Sequence, residues 1–137
     1  MPDDMTPEQR HKTMSRIRST NTKPEMIVRR YLHACGLRYR LHVVTLPGKP
    51  DIVLPRYGTC VLVNGCFWHG HEGCKYFRLP LSNQDYWSSK IERNIARDRE
   101  SQARLEVMGW RVIVVWECEL KADAEGRCGR LTGEICG

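Results

Sequence analysis

The run Trp110-Arg111-Val112-Ile113-Val114-Val115-Trp116 constrains the fold more than any other stretch of the chain. Apolar, mostly β-branched side chains occupy both parities, so a strand here is covered on both faces, and a sheet covered on both faces carries helices on each side. The remaining elements fit around it. Ser82-x-x-Asp85 can cap a long helix to about Met108, with Trp87, Ile91 and Ile95 at four-residue spacing and Gly109 ending it. Tyr39, Leu41 and Val43 alternate with Arg38, Arg40 and His42, as in a strand with one wet face. A Pro/Gly turn at 46–50 leads to a short strand at Asp51 to Leu54. A second turn, Pro55 to Gly58, precedes a buried strand at Thr59 to Val63, which completes a three-stranded meander. Thr22-x-x-Glu25 reads as a helix cap ahead of the stripe Ile27, Val28, Tyr31, Leu32 and Cys35, closed by Gly36. Thr6-Pro7-Glu8-Gln9 opens a further, short basic helix to about Arg18 that carries Met14 and Ile17 on one face.

A length of 137 residues fits one domain with a modest core, a size at which a structural metal adds useful stability. Within it the order predicts an N-terminal arm over 1–20, a core over 21–118 and a tail over 119–137. The 22 Lys and Arg exceed the 16 Asp and Glu by six, and the excess is early, in Arg10, Lys12, Arg16, Arg18, Lys23, Arg29 and Arg30. Such a cluster suits a polyanion such as nucleic acid, and equally a solvated basic face; charge alone does not separate the two. The start of the chain, with Asp3 and Asp4, lacks the features of a secretory signal, and no apolar run approaches the ~20 residues that span a bilayer. The expectation is a soluble, intracellular protein. In a reducing compartment an odd count of seven cysteines points to metal binding or burial rather than disulfides. Cys35 and Cys60 read as core residues, whereas Cys128 and Cys136, in the Gly-rich tail, take no role.

The segment Gly65-Cys66-Phe67-Trp68-His69-Gly70-His71-Glu72-Gly73-Cys74 is the chemically densest part of the chain. Cys66, His71 and Cys74 offer two thiolates and an imidazole, and Cys118 is the natural fourth ligand for a tetrahedral zinc. His69 is left over for other work. The predicted result is a metal-pinned loop over 64–76 that presents Phe67, Trp68 and His69. Pro50-Asp51 opens a strand after a Gly-Lys turn, where a carboxylate can hold a hard divalent cation for phosphodiester cleavage. A lone Pro-Asp more often just closes a turn, and the next strand lacks a Glu-x-Lys. A ligand role for Asp51 therefore requires a main-chain oxygen near Val63.

Pro47-Gly48-Lys49-Pro50-Asp51, Asn64-Gly65-Cys66-Phe67-Trp68-His69, Trp87 and Trp110 to Cys118 together closely resemble the very short patch repair (Vsr) endonucleases, from about His11 to Cys118. The resemblance implies a restriction-endonuclease-like (PD-(D/E)XK-type) α/β core, a mixed sheet flanked by helices with an inserted zinc loop. It further implies a nuclease that nicks one strand of duplex DNA beside a thymine mispaired with guanine, the lesion left by deamination of 5-methylcytosine, so that a short patch is resynthesised; a nick in one strand needs only a monomer. Asp51 and the main chain at Val63 would hold catalytic magnesium, and His69 would activate water. Glu25 matches an acidic residue near the active site. Cys66, His71, Cys74 and Cys118 match structural zinc ligands, while Phe67, Trp68 and Trp87 match aromatics pushed into the base stack. Met14 and Ile17, with Arg16, Arg18 and Lys23 on the DNA backbone, fit an arm gripping the opposite groove. Trp110 and Trp116 are expected in the core. A companion cytosine-5 methyltransferase and mismatch repair proteins are implied partners.

One position departs from that pattern. The family commonly has a second active-site histidine where this chain has Asn64, and a carboxamide hydrogen-bonds without shuttling a proton. The competing expectation is therefore a zinc-stabilised protein that binds mismatched DNA with weak cleavage or none.

Overall fold

A computed structural model describes residues 22–137. Helix α1 (Lys23–Ala34) starts where the Thr22 hydroxyl accepts a hydrogen bond from the Glu25 amide, and Pro24 suits its first turn. Its Val28 and Leu32, four residues apart, are fully buried. The helix closes at Gly36, whose φ of +81° is left-handed.

Strands β1 (Arg40–Leu41), β2 (Ile52–Leu54), β3 (Thr59–Asn64) and β4 (Arg111–Trp116) form a sheet in the order β1-β2-β3-β4. The first three run antiparallel as a meander, with Gly58 at φ +58° in the β2–β3 turn, whereas β4 runs parallel to β3. The parallel pairing requires a crossover, which α2 (Gln84–Val107) supplies. A final helix, α3 (Glu117–Cys136), packs on α1 and on β4. Val61, Val63, Ile113 and Val115 bury one sheet face with Val28 and Leu32 of α1 and Leu131 and Ile135 of α3. Val53, Cys60 and Val112 cover the other face with Leu105 of α2. The fold is a mixed α/β arrangement with a four-stranded mixed sheet.

Several local expectations change. The first strand shrinks to two residues because His42 turns into left-handed backbone at φ +47°. Helix α2 begins at Gln84 after Asn83 in left-handed backbone, and no side chain caps it; Ser82 and Asp85 do not form the expected box. β4 lies at one edge of the described sheet, so only Ile113 and Val115 are buried while Val112 and Val114 are partly covered. Cys35 is exposed rather than core, unlike Cys60.

The largest difference is at the end of the chain, where helix replaces the expected tail. The Glu119 carboxylate accepts from the Trp116 amide at 2.8 Å to start α3. The helix bends at Asp123, whose carboxylate accepts from the Gly126 amide at 3.0 Å and recaps the second half. Leu120, Cys128, Leu131 and Ile135 are buried. Their spacing of three, four and eight residues is helical, and the intervening Gly126, Gly129 and Gly133 mask it. Among the described residues no helix is long and apolar enough to cross a membrane.

Candidate active site and metal centre

Asp51 precedes β2, and the antiparallel register sets it beside the end of β3. The Val63 amide donates to its Oδ2 at 2.8 Å. Burial pushes the Asp51 carboxyl up to about 6; the Val63 hydrogen bond opposes this, the charge of Glu25 adds to it, and His42 and His69 oppose it. Glu25 reaches the same place from the first turn of α1 and is 2% exposed. Its Oε2 lies 2.8 Å from His42 Nε2 and accepts from Arg29 at 3.3 Å, so its carboxylate serves this cluster and Thr22 alone is the side-chain cap. The His42 amide donates to the Asp51 carbonyl at 3.0 Å. Ligand atoms of Glu25, His42 and Asp51 all lie within 4.8 Å of one another. His42 was hidden in the sequence, where alternation assigned it to a wet strand face.

His69, on the loop after β3, places Nδ1 2.5 Å from Oδ2 of Asp98 on α2. That pairing fixes the ring and leaves the lone pair on Nε2. Asp98 gave no sequence signal, lying 29 residues away on a polar helix face. Asn64, Asp98, Arg99, Gln102 and Trp116 line a cleft of about 360 Å³ with His69. Asn64 ends β3 and is 5% exposed. Trp116, expected in the core, is half-buried on this cleft wall.

The four soft donors converge. Cys66 follows β3, His71 and Cys74 come from the loop, and Cys118 sits in the first turn of α3. The His71 amide donates to the Cys66 carbonyl at 2.9 Å, and the Cys118 amide donates to Cys66 Sγ at 3.4 Å. Cys118 Sγ lies 3.4 Å from His71 Nδ1, and the His71 ring stacks on Trp116 at 3.9 Å and 3°. All four ligand atoms are within 4.8 Å of one another, so the set can hold a metal ion. Tetrahedral coordination by thiolates at ordinary bond lengths separates sulfurs by about 3.8 Å, which this spacing admits. Burial pushes the Cys66 thiol up to about 12, so without a cation it stays protonated. Gly70 separates His69 from His71 at φ +58°, and a Cβ there would stand 2.8 Å from Ile91 Cγ2 and 2.6 Å from Ile95 Cδ1 of α2. Only glycine lets the loop pass this close to the helix.

Phe67, Trp68 and Trp87 gather into one half-buried cluster, with centroids 5.1 Å apart for Phe67–Trp68, 5.6 Å for Phe67–Trp87 and 5.9 Å for Trp68–Trp87. Phe77 and Tyr86 adjoin it, and the Asn94 amide donates to the Trp68 carbonyl at 3.0 Å. Lys23 is exposed on the first turn of α1. Met14, Ile17, Arg16 and Arg18 lie outside the described residues.

Clustered carboxylates beside an imidazole that is itself held by a carboxylate are the parts a hydrolase uses to bind a cation and activate water. Comparison with known proteins makes the class particular. Residues 2–75 match the family model described as DNA mismatch endonuclease Vsr. The chain is 54% identical over 120 residues to the type II nicking enzyme V.XorIIP of Xanthomonas oryzae pv. oryzae, with 88% of each chain covered. It is 47% identical to the type II nicking enzyme V.NmeAIP of Neisseria meningitidis over 137 residues, covering 98% of this chain and 97% of the relative. It is also 39% identical to the DNA mismatch endonuclease Vsr of Escherichia coli over 132 residues, covering 93% and 84%. The chain belongs to the Vsr DNA mismatch endonuclease family.

Proposed function

We propose that the protein nicks one strand of duplex DNA beside the thymine of a T:G mismatch and so starts very short patch repair, on a restriction-endonuclease-like core. The observation that carries this reading is the buried Asp51–Glu25 carboxylate cluster, which feels the charge of His69, together with the pairing of His69 to Asp98. Asp51, whose Oδ2 accepts from the Val63 amide, would hold magnesium together with the main-chain oxygen of Val63, carboxylate and carbonyl oxygens being the donors a hard cation takes. When bound, such a cation supplies charge stabilisation on the scissile phosphate. His69 takes the proton of the attacking water at Nε2, because Asp98 fixes the tautomer through Nδ1. Cys66, His71, Cys74 and Cys118 would hold zinc as a closed set with no position for substrate, so its role is structural.

The aromatic cluster enters the base stack beside the mismatch. Unstacking costs a few kcal/mol per step, and least at a mismatched pair, so selectivity follows from that difference. Basic residues of the arm and Lys23 contact the phosphates. A cytosine-5 methyltransferase that creates the deamination-prone base, and mismatch repair proteins, are the expected companions.

Asn64 supports a second reading, a mismatch-binding protein with little cleavage, since it lines the cleft beside His69 and cannot exchange a proton. End-labelled T:G and T:A duplexes, incubated with and without magnesium, decide between them. A magnesium-dependent nick confined to T:G, lost in Asp51→Ala with binding retained, supports the enzyme. Binding without any nick, restored to cleavage by Asn64→His, supports the second reading.

A further inference from the structure

Three donors cluster at Asp51, two carboxylates and the His42 imidazole, with all ligand atoms within 4.8 Å of one another. His42 is not there by default. Its backbone occupies left-handed space at φ +47°, uncommon for a residue with a side chain, and its amide is tied to the Asp51 carbonyl at 3.0 Å. That local turn ends β1 early and delivers Nε2 to within 2.8 Å of Glu25 Oε2. An alternating strand would instead have carried the ring along the strand face.

We propose that His42 is a nitrogen ligand of the catalytic cation, so that the site is a mixed nitrogen–oxygen set with Glu25 and Asp51 rather than an all-oxygen one. The proposal rests on Asp51 being the cation site. All-oxygen sites suit magnesium, whereas an imidazole favours borderline first-row cations. The site should therefore select a first-row divalent cation over magnesium. His42 turns from its hydrogen bond with Glu25 to the ion, and Glu25 then supplies an oxygen beside it.

Manganese is a suitable probe because its unpaired electrons report directly bonded nitrogen. Zinc-replete protein is loaded with one equivalent of Mn2+ and examined by pulsed electron paramagnetic resonance, and Mn2+ affinity is measured against Mg2+ competition. The expected result is a directly coordinated nitrogen signal in the parent that disappears in His42→Gln. Mn2+ affinity should fall by at least the roughly 10- to 100-fold that losing a hydrogen-bond partner of a metal ligand costs, while Mg2+ affinity changes less. His42→Asn, whose side chain tolerates left-handed backbone but is too short to reach, serves if the first variant does not fold. A nitrogen signal that survives both variants, or that is absent from the parent while Asp51→Ala abolishes binding, overturns the role of His42 and leaves the Asp51 site standing. Mn2+ binding indifferent to Asp51→Ala overturns the cation site itself, and this proposal with it.

Discussion

His69 and Asp98 are joined through Nδ1 and Oδ2 at 2.5 Å, which ties the loop after β3 to the middle of the long helix. The pairing gives the imidazole one orientation and one tautomer. Asp98→Asn should therefore lower single-turnover nicking of a T:G duplex by about 100-fold, within the range for a misdirected general base, with mismatch affinity unchanged. The same variant should shift the pH profile of the step. A variant that cuts at the parental rate would detach Asp98 from the chemistry.

The soft-donor set predicts a stoichiometry. Purified protein should contain one zinc per chain by elemental analysis, and Cys118→Ser should lower both the zinc content and the melting temperature. Removing one ligand leaves Cys66 buried in a site that favours its protonated form. Unaltered zinc content in Cys118→Ser would contradict the four-ligand set.

Asp51 sets a pH dependence in metal-free protein. Its folded-state value of about 6 lies above the ordinary 3.8, so the folded state binds the proton more tightly than the unfolded state does. The stability this contributes is fully present below about pH 3.8 and is lost as pH rises through about 6. Thermal melts of metal-free protein between these limits should show the decline, and Asp51→Asn should flatten it. Added divalent cation should restore stability at the upper end, by binding only the folded state.

Phe67 touches both tryptophans of the aromatic cluster. Phe67→Ala should reduce the preference for T:G over T:A duplexes more than it reduces affinity for duplex DNA in general. The upper bound is the few kcal/mol of a lost wedge. Competition binding with both duplexes measures the ratio, and an unchanged ratio would remove Phe67 from recognition.

The final helix should be structural. Leu131 is fully buried against the core shared with α1, and Leu131→Ala should cost about 2–5 kcal/mol in denaturant unfolding, as for other buried leucines. A change under 1 kcal/mol would mean that this helix adds little to the core, since deleting a well-packed leucine usually costs several times that.

The sequence was readable where the signal is local. The Thr22 cap, the turns and the apolar spacing mark α1, the meander, the long helix and β4, and ligand-type spacing within ten residues groups Cys66, His71 and Cys74. It was unreadable where a residue's role depends on a distant partner. Asp98 resembles any acid on a solvated helix face until the fold brings His69 to it. His42 looked like an ordinary member of an alternating strand because backbone handedness at a non-glycine leaves no mark in composition. In α3, three glycines interrupt a stripe that packing against α1 and the sheet makes worthwhile.

Gly70 stands between two histidines with different partners, one facing Asp98 and the other Trp116 and Cys118. With the helix this close, the backbone at Gly70 has little room to absorb a displacement of one histidine without moving the other. Stripping the soft-ligand ion would therefore spoil the aim of the neighbouring imidazole while most of the molecule still melts as a folded body. An ion remote from the reaction would then govern the rate through registration alone.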